Sequence, residues 1–133
     1  MEQIFNKLSE SLFGQLNEGE HLILSFDGEN SQFVRFNNAS IRQTGLVDDA
    51  DVGLKFIANG RTCSGGFTVS GNFDTDIARG SSEIDRMRTE SGQIPKDPFL
   101  VMPENAGSSH EIKKANGLAF EDAVDAILPA VSG

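Results

Sequence analysis

The chain has no tryptophan and no tyrosine, so its ten phenylalanines carry all the aromatic packing. Its one cysteine, Cys63, cannot form an internal disulfide, which agrees with a reducing compartment. Free cysteine is readily buried, and Cys63 lies in a strand-like run with neither a histidine nor a helix N-terminus nearby in sequence. A small buried side chain is expected there rather than a nucleophile. Two histidines, His21 and His110, are the whole supply of imidazole for a metal or a general base. Positive charge is also scarce: 11 Lys and Arg stand against 20 Asp and Glu, a formal net charge of −9. A field of that sign repels phosphate backbones and anionic lipid, which argues against direct nucleic-acid and membrane partners. No apolar run approaches the length of a membrane span. The opening Met1-Glu2-Gln3-Ile4-Phe5 places an acid where a signal peptide carries positive charge, and a cytoplasmic protein is expected.

At 133 residues the chain has room for one domain, with a hydrophobic fraction of 38% and 14 glycines, ordinary for a folded protein. Ile4, Phe5, Leu8, Leu12, Phe13 and Leu16 recur at helical spacing and predict an amphipathic first helix, ended by Asn17-Glu18-Gly19. From His21 to Thr68 short apolar runs alternate with turn chemistry at Asp27-Gly28, Asn37-Asn38, Asp48-Asp49 and Asn59-Gly60. Asn59-Gly60 is the strongest of these, because both residues tolerate the positive φ of a two-residue hairpin turn. Gly65-Gly66 in the last strand suggests a bulge or a close backbone approach. Asp74 to Arg88 places Ile77, Ile84 and Met87 on one helical face, with Asp74 or Thr75 as the cap. Pro95, Pro98 and Pro103 enforce an extended segment over 93–104, 105–116 reads as a polar loop, and Leu118 to Val131 resumes helical spacing up to the break at Pro129. The expected fold is α+β: an antiparallel four- to five-stranded meander with helices packed on one face, as a single domain over 1–133.

The residues offer little chemistry. His110-Glu111 begins like a zincin helix, yet the next positions where a second histidine would close the site are Lys114 and Ala115. His21 has no ligand-type neighbour at short repeating spacing. Ser64-Gly65-Gly66 is not a nucleophile elbow, Asn59 to Gly66 is not a phosphate loop, and Asp48-Asp49-Ala50-Asp51 lacks the alternation and terminal Glu of a calcium loop. No catalytic residue, metal ligand or cofactor is assigned to this chain. Arg35, Arg42 and Gln43 alternate on and beside predicted strands and are the candidate surface for a peptide or a partner.

The stretch Arg35-Phe36-Asn37-Asn38-Ala39-Ser40-Ile41-Arg42-Gln43 resembles a segment of the N-terminal domain of TldD/PmbA proteins, in which an Arg-Phe pair, an Asn and an Ile-x-Gln follow in this order. An acidic turn, the strand Val52 to Ile57, the hairpin Asn59-Gly60-Arg61, a glycine-containing strand, a helix and Asp97-Pro98-Phe99 continue that order. The similarity covers roughly residues 20 to 105 and departs from the family at Arg42, where many members have His, and between Cys63 and Gly66. It implies a modulator of DNA gyrase and a zinc-dependent peptidase acting in peptide maturation or proteolysis. The family's zinc-binding His-Glu-x-x-x-His helix belongs to a downstream domain, so this chain is expected to be inactive alone; a reading frame that continues past Gly133 into such a domain favours this reading, and a stop near Gly133 favours a free-standing protein. The implied partners are an unfolded peptide substrate and a family partner subunit, in a homo- or heterodimer. Two other readings stay open: a free-standing small binding protein of the same fold, and the non-metal partner subunit of a peptidase heterodimer.

Overall fold

The computed structural model describes residues 2–102, 107–114, 117–119 and 122–131, so the expectations placed on Pro103 to Ala106, Ala115 and Asn116 lie outside it. The described elements are helix α1 (Glu2–Phe13), strands β1 (Glu20–Asn37), β2 (Ser40–Ala58) and β3 (Arg61–Thr68), then α2 (Phe73–Ser91) and α3 (Ala123–Val131). The fold is α+β, with a three-stranded antiparallel sheet in the order β1-β2-β3. The chain divides into two compact units, residues 1–29 with 49–102 and residues 30–48 with 103–133.

Among the described residues the sheet has three strands rather than four or five, because two of the turn signals do not turn. β1 runs through Asp27-Gly28 and β2 through Asp48-Asp49. Pairing between two long neighbouring strands overrides local preference, which in β-structure is a weak and context-dependent force. The two reversals that do occur are marked by positive φ: Asn38 (48°) with Ala39 (56°), and Asn59 (52°) with Gly60 (71°). The second joins Ala58 to Arg61, as its sequence predicts. From there to Asp51↔Thr68 every residue of β3 opposes one of β2, so Gly65-Gly66 makes no bulge. Gly65 marks a close approach: a Cβ there would collide with the Glu83 carboxylate and the Arg86 guanidinium of α2.

The core lies in the first unit. Val52, Leu54 and Phe56 of β2 and Cys63 of β3 meet Leu8 and Leu12 of α1 and Ile84 and Met87 of α2, with Leu22, Leu24 and Phe26 of β1 partly buried beside them. Period-two alternation on the strands and i, i+4 spacing on the helices bring these side chains to one face of the sheet. Leu12 and Gly80 set the distance between α1 and α2, since a Cβ at Gly80 would stand 2.7 Å from Leu12 Cδ2.

Helix α2 starts one turn boundary earlier than Asp74 or Thr75 suggests. Asn72, in an extended conformation, accepts from the Thr75 amide at 3.0 Å and is the cap. Downstream of the helix, the Asp97 amide donates to the Gly60 carbonyl (2.8 Å) and Arg61 Nε to the Ile94 carbonyl (2.7 Å). The proline-rich segment is thereby held against the β2-β3 turn. α3 is shorter than its sequence pattern, beginning at Ala123 and containing Pro129. No helix among the described residues is long and apolar enough to cross a membrane.

Candidate functional site

Arg35 and Gln43 come together in the second unit. Arg35 lies on β1 and Gln43 on β2, and Arg35 Nη1 donates to Gln43 Oε1 at 3.3 Å. The guanidinium also stands over the Phe33 ring, 5.4 Å from its centroid, two residues back on the same strand face. Arg42 is not part of this group: successive strand residues point to opposite faces, so the neighbour of Gln43 turns away. Over residues 30–48 no side chain is buried, and apolar groups stand in solvent, with Ile41 36% and Leu46 68% exposed.

The other candidates stay apart. His21 is exposed on β1, and His110 with Glu111 is exposed in a segment without regular structure, where Lys113 Nζ reaches Glu111 Oε1 at 3.5 Å. Among the described residues no group of three or more His, Cys, Asp or Glu is placed to hold a metal ion. Cys63 is buried in β3; desolvation, and then the Glu90 carboxylate, push its thiol above the ordinary range, away from reactivity.

Three polar arrangements were not evident from sequence. Arg88 grips Glu20 with two bonds, Nε to Oε1 at 2.7 Å and Nη2 to Oε2 at 2.8 Å, while the Asn17 amide also donates to Oε2 at 2.9 Å. The arginine bonds, opposed by desolvation and aided by Asn17, hold the Glu20 carboxyl at about 2. This pair fixes the end of the α1-β1 connection to α2. Asp76 is 1% exposed, and its Oδ1 accepts from the Ser70 amide and hydroxyl, both at 2.8 Å, anchoring the loop between β3 and α2. The third arrangement lies along β3. Arg79 and Arg86, seven apart on α2, donate to the Thr68 carbonyl (2.8 Å) and the Ser64 carbonyl (3.2 Å), while Glu83 and Glu90 pair with Arg86. Their i, i+3, i+4 and i+7 spacing places them on one helix flank, the one signal a sequence could give. Between that flank and β3 is a depression of about 650 Å³ with Phe67 and Ala78 as its apolar part and Asp74, Arg79 and Glu83 around it.

Comparison with protein-family models, with curated proteins and with solved structures returns no match for this chain.

Proposed function

We propose that this chain is the N-terminal, non-catalytic module of a cytoplasmic TldD/PmbA-type metalloprotease-like protein, and that it supplies docking surface for an unfolded peptide or for a partner domain in a dimer. The observation that carries the reading is the hairpin of residues 30–48. Within the unit it forms with 103–133, this ribbon leaves Ile41 and Leu46 exposed and presents the Arg35, Gln43 and Phe33 group on one face. Ile41, two residues before Gln43 on β2, shares the face of the organised cation, and Leu46 is exposed on the other face; an apolar group beside an organised cation is the composition of a contact surface. Helix, antiparallel strands, helix and Asp97-Pro98-Phe99 also follow in the order that the resemblance implies.

In this reading zinc and the cleaving groups belong to the downstream domain, and the present residues position and hold. The test is the double variant Arg35→Glu, Arg42→Glu in a protein carrying both domains, scored by peptide turnover and by dimerisation. Loss of one or both is expected; unchanged turnover together with unchanged dimerisation would sink the reading. Zinc content of the same protein separates a metal-bearing peptidase from a metal-free partner subunit.

A further inference from the structure

Among the described residues, strand β3 has a neighbouring strand on one side only. Its register pairs Arg61 with Ala58 across the two-residue turn, and the Val69 amide donates to the Ala50 carbonyl at 2.7 Å. Bonded pairs alternate along an antiparallel ladder. Arg61, Cys63, Gly65, Phe67 and Val69 therefore turn their backbone groups to β2, whereas Ser64, Gly66 and Thr68 turn theirs outward. Two side-chain contacts fit this phase independently, because the carbonyls that Arg86 and Arg79 reach are those of Ser64 and Thr68. Between the two arginines the N–H and C=O of Gly66 have no partner among the described residues, and the Ser64 and Thr68 amides point the same way.

Natural sheets blunt such edges with lysine, proline or a bulge. From Thr62 to Thr68 β3 has none of the three. An added strand would bond to the outward groups, and its residues opposite Gly65 and Phe67 would face α2, over the depression formed by Phe67 and Ala78. The molecule's charge of −9 opposes a second copy at this edge and favours a cation there, and the three acids beside the edge, Asp74, Glu83 and Glu90, outnumber the two arginines, Arg79 and Arg86. We propose that the outer edge of β3 takes up an extended basic peptide as a fourth strand, with an apolar side chain seated against Phe67 and Ala78. The nature of this occupant rests on the peptide-docking reading; the edge itself rests on the β2-β3 register and the two arginine contacts.

The probe is a fluorescein-labelled peptide of about eight residues alternating threonine with lysine and valine, long enough for one strand. It is titrated into the 133-residue chain and followed by anisotropy, beside the same peptide N-methylated throughout. The unmethylated peptide is expected to bind and the methylated one not to. Ser64→Pro removes one outward N–H and leaves the β2 ladder intact, so the melting temperature holds while binding weakens about tenfold. Ala78→Arg, which fills the depression and repels lysine, weakens binding in the same direction. Equal binding of the methylated peptide overturns the edge; if that binding is lost when residues 30–48 are replaced by an Asn-Gly turn, peptide docking stands and moves to the hairpin. No binding of either peptide overturns both. A concentration-dependent dimer that Ser64→Pro dissolves puts a second copy on the edge and overturns the occupant.

Discussion

Strands β1 and β2 pass through both compact units, and the two stretches of the same ribbon differ in what their side chains meet. Over 49–58, Ala50, Val52, Leu54 and Phe56 alternate into a core closed by two helices. Over 30–48 the ladder continues, yet none of its residues is buried, although Phe33, Val34, Phe36, Ile41, Leu46 and Val47 are as apolar as those of the core stretch. The strands thus continue through a stretch in which Phe33, Val34, Phe36 and Val47 are only half-buried. The difference separates a stretch that holds the fold from the stretch to which the proposed docking role is assigned.

Truncation should break this comparison most sharply. Phe56, fully buried, is expected to lose about 3–5 kcal/mol as Phe56→Ala, whereas Leu46→Ala should stay within about 0.5 kcal/mol; chemical denaturation of both variants checks it. Gly80→Val overpacks the contact with Leu12 and should cost about 1–3 kcal/mol by the same measurement. Glu20→Gln breaks the grip of Arg88. A carboxyl lowered from 4.5 to about 2 corresponds to about 3 kcal/mol, which the 31% exposure of the Arg88 side chain trims toward about 2. Since the folded value is the lower one, this contribution is complete above about pH 4.5 and disappears as pH falls through about 2. Acid unfolding of the wild type should therefore show a loss over that window that Glu20→Gln lacks. The smallest effect is expected at the cap, where Asn72→Ala should cost about 1 kcal/mol.

The amphipathic α1 and the Ile77, Ile84, Met87 face of α2 were legible because their periodicity is local and strong, although only Leu8 and Leu12 of the α1 stripe are buried, Ile4 and Phe13 stay exposed and Leu16 lies beyond the helix end; Asn59-Gly60 was legible because its backbone demand selects those residues. Asp27-Gly28 and Asp48-Asp49 misled, since turn-forming residues in a long exposed ribbon are compatible with continued pairing. Asn72 was obscured as a cap by Asp74 and Thr75, which are also capping types two and three positions on. Of the candidate surface, the meeting of Arg35 with Gln43 depends on β1-β2 register and the exclusion of Arg42 on the pleat. The Glu20-Arg88 pair, 68 residues apart, and the arginines framing β3 depend on how α2 lies against the sheet, which no window of sequence encodes.

The division between a packed body and a contact-making hairpin is tested most directly by replacing residues 30–48 with an Asn-Gly turn in a protein that also carries the downstream domain. The account predicts that the amides of 50–58 and 61–68 keep their protection in hydrogen exchange while peptide turnover or dimerisation is lost. Loss of protection in those core strands, or turnover and dimerisation both unchanged, would contradict it.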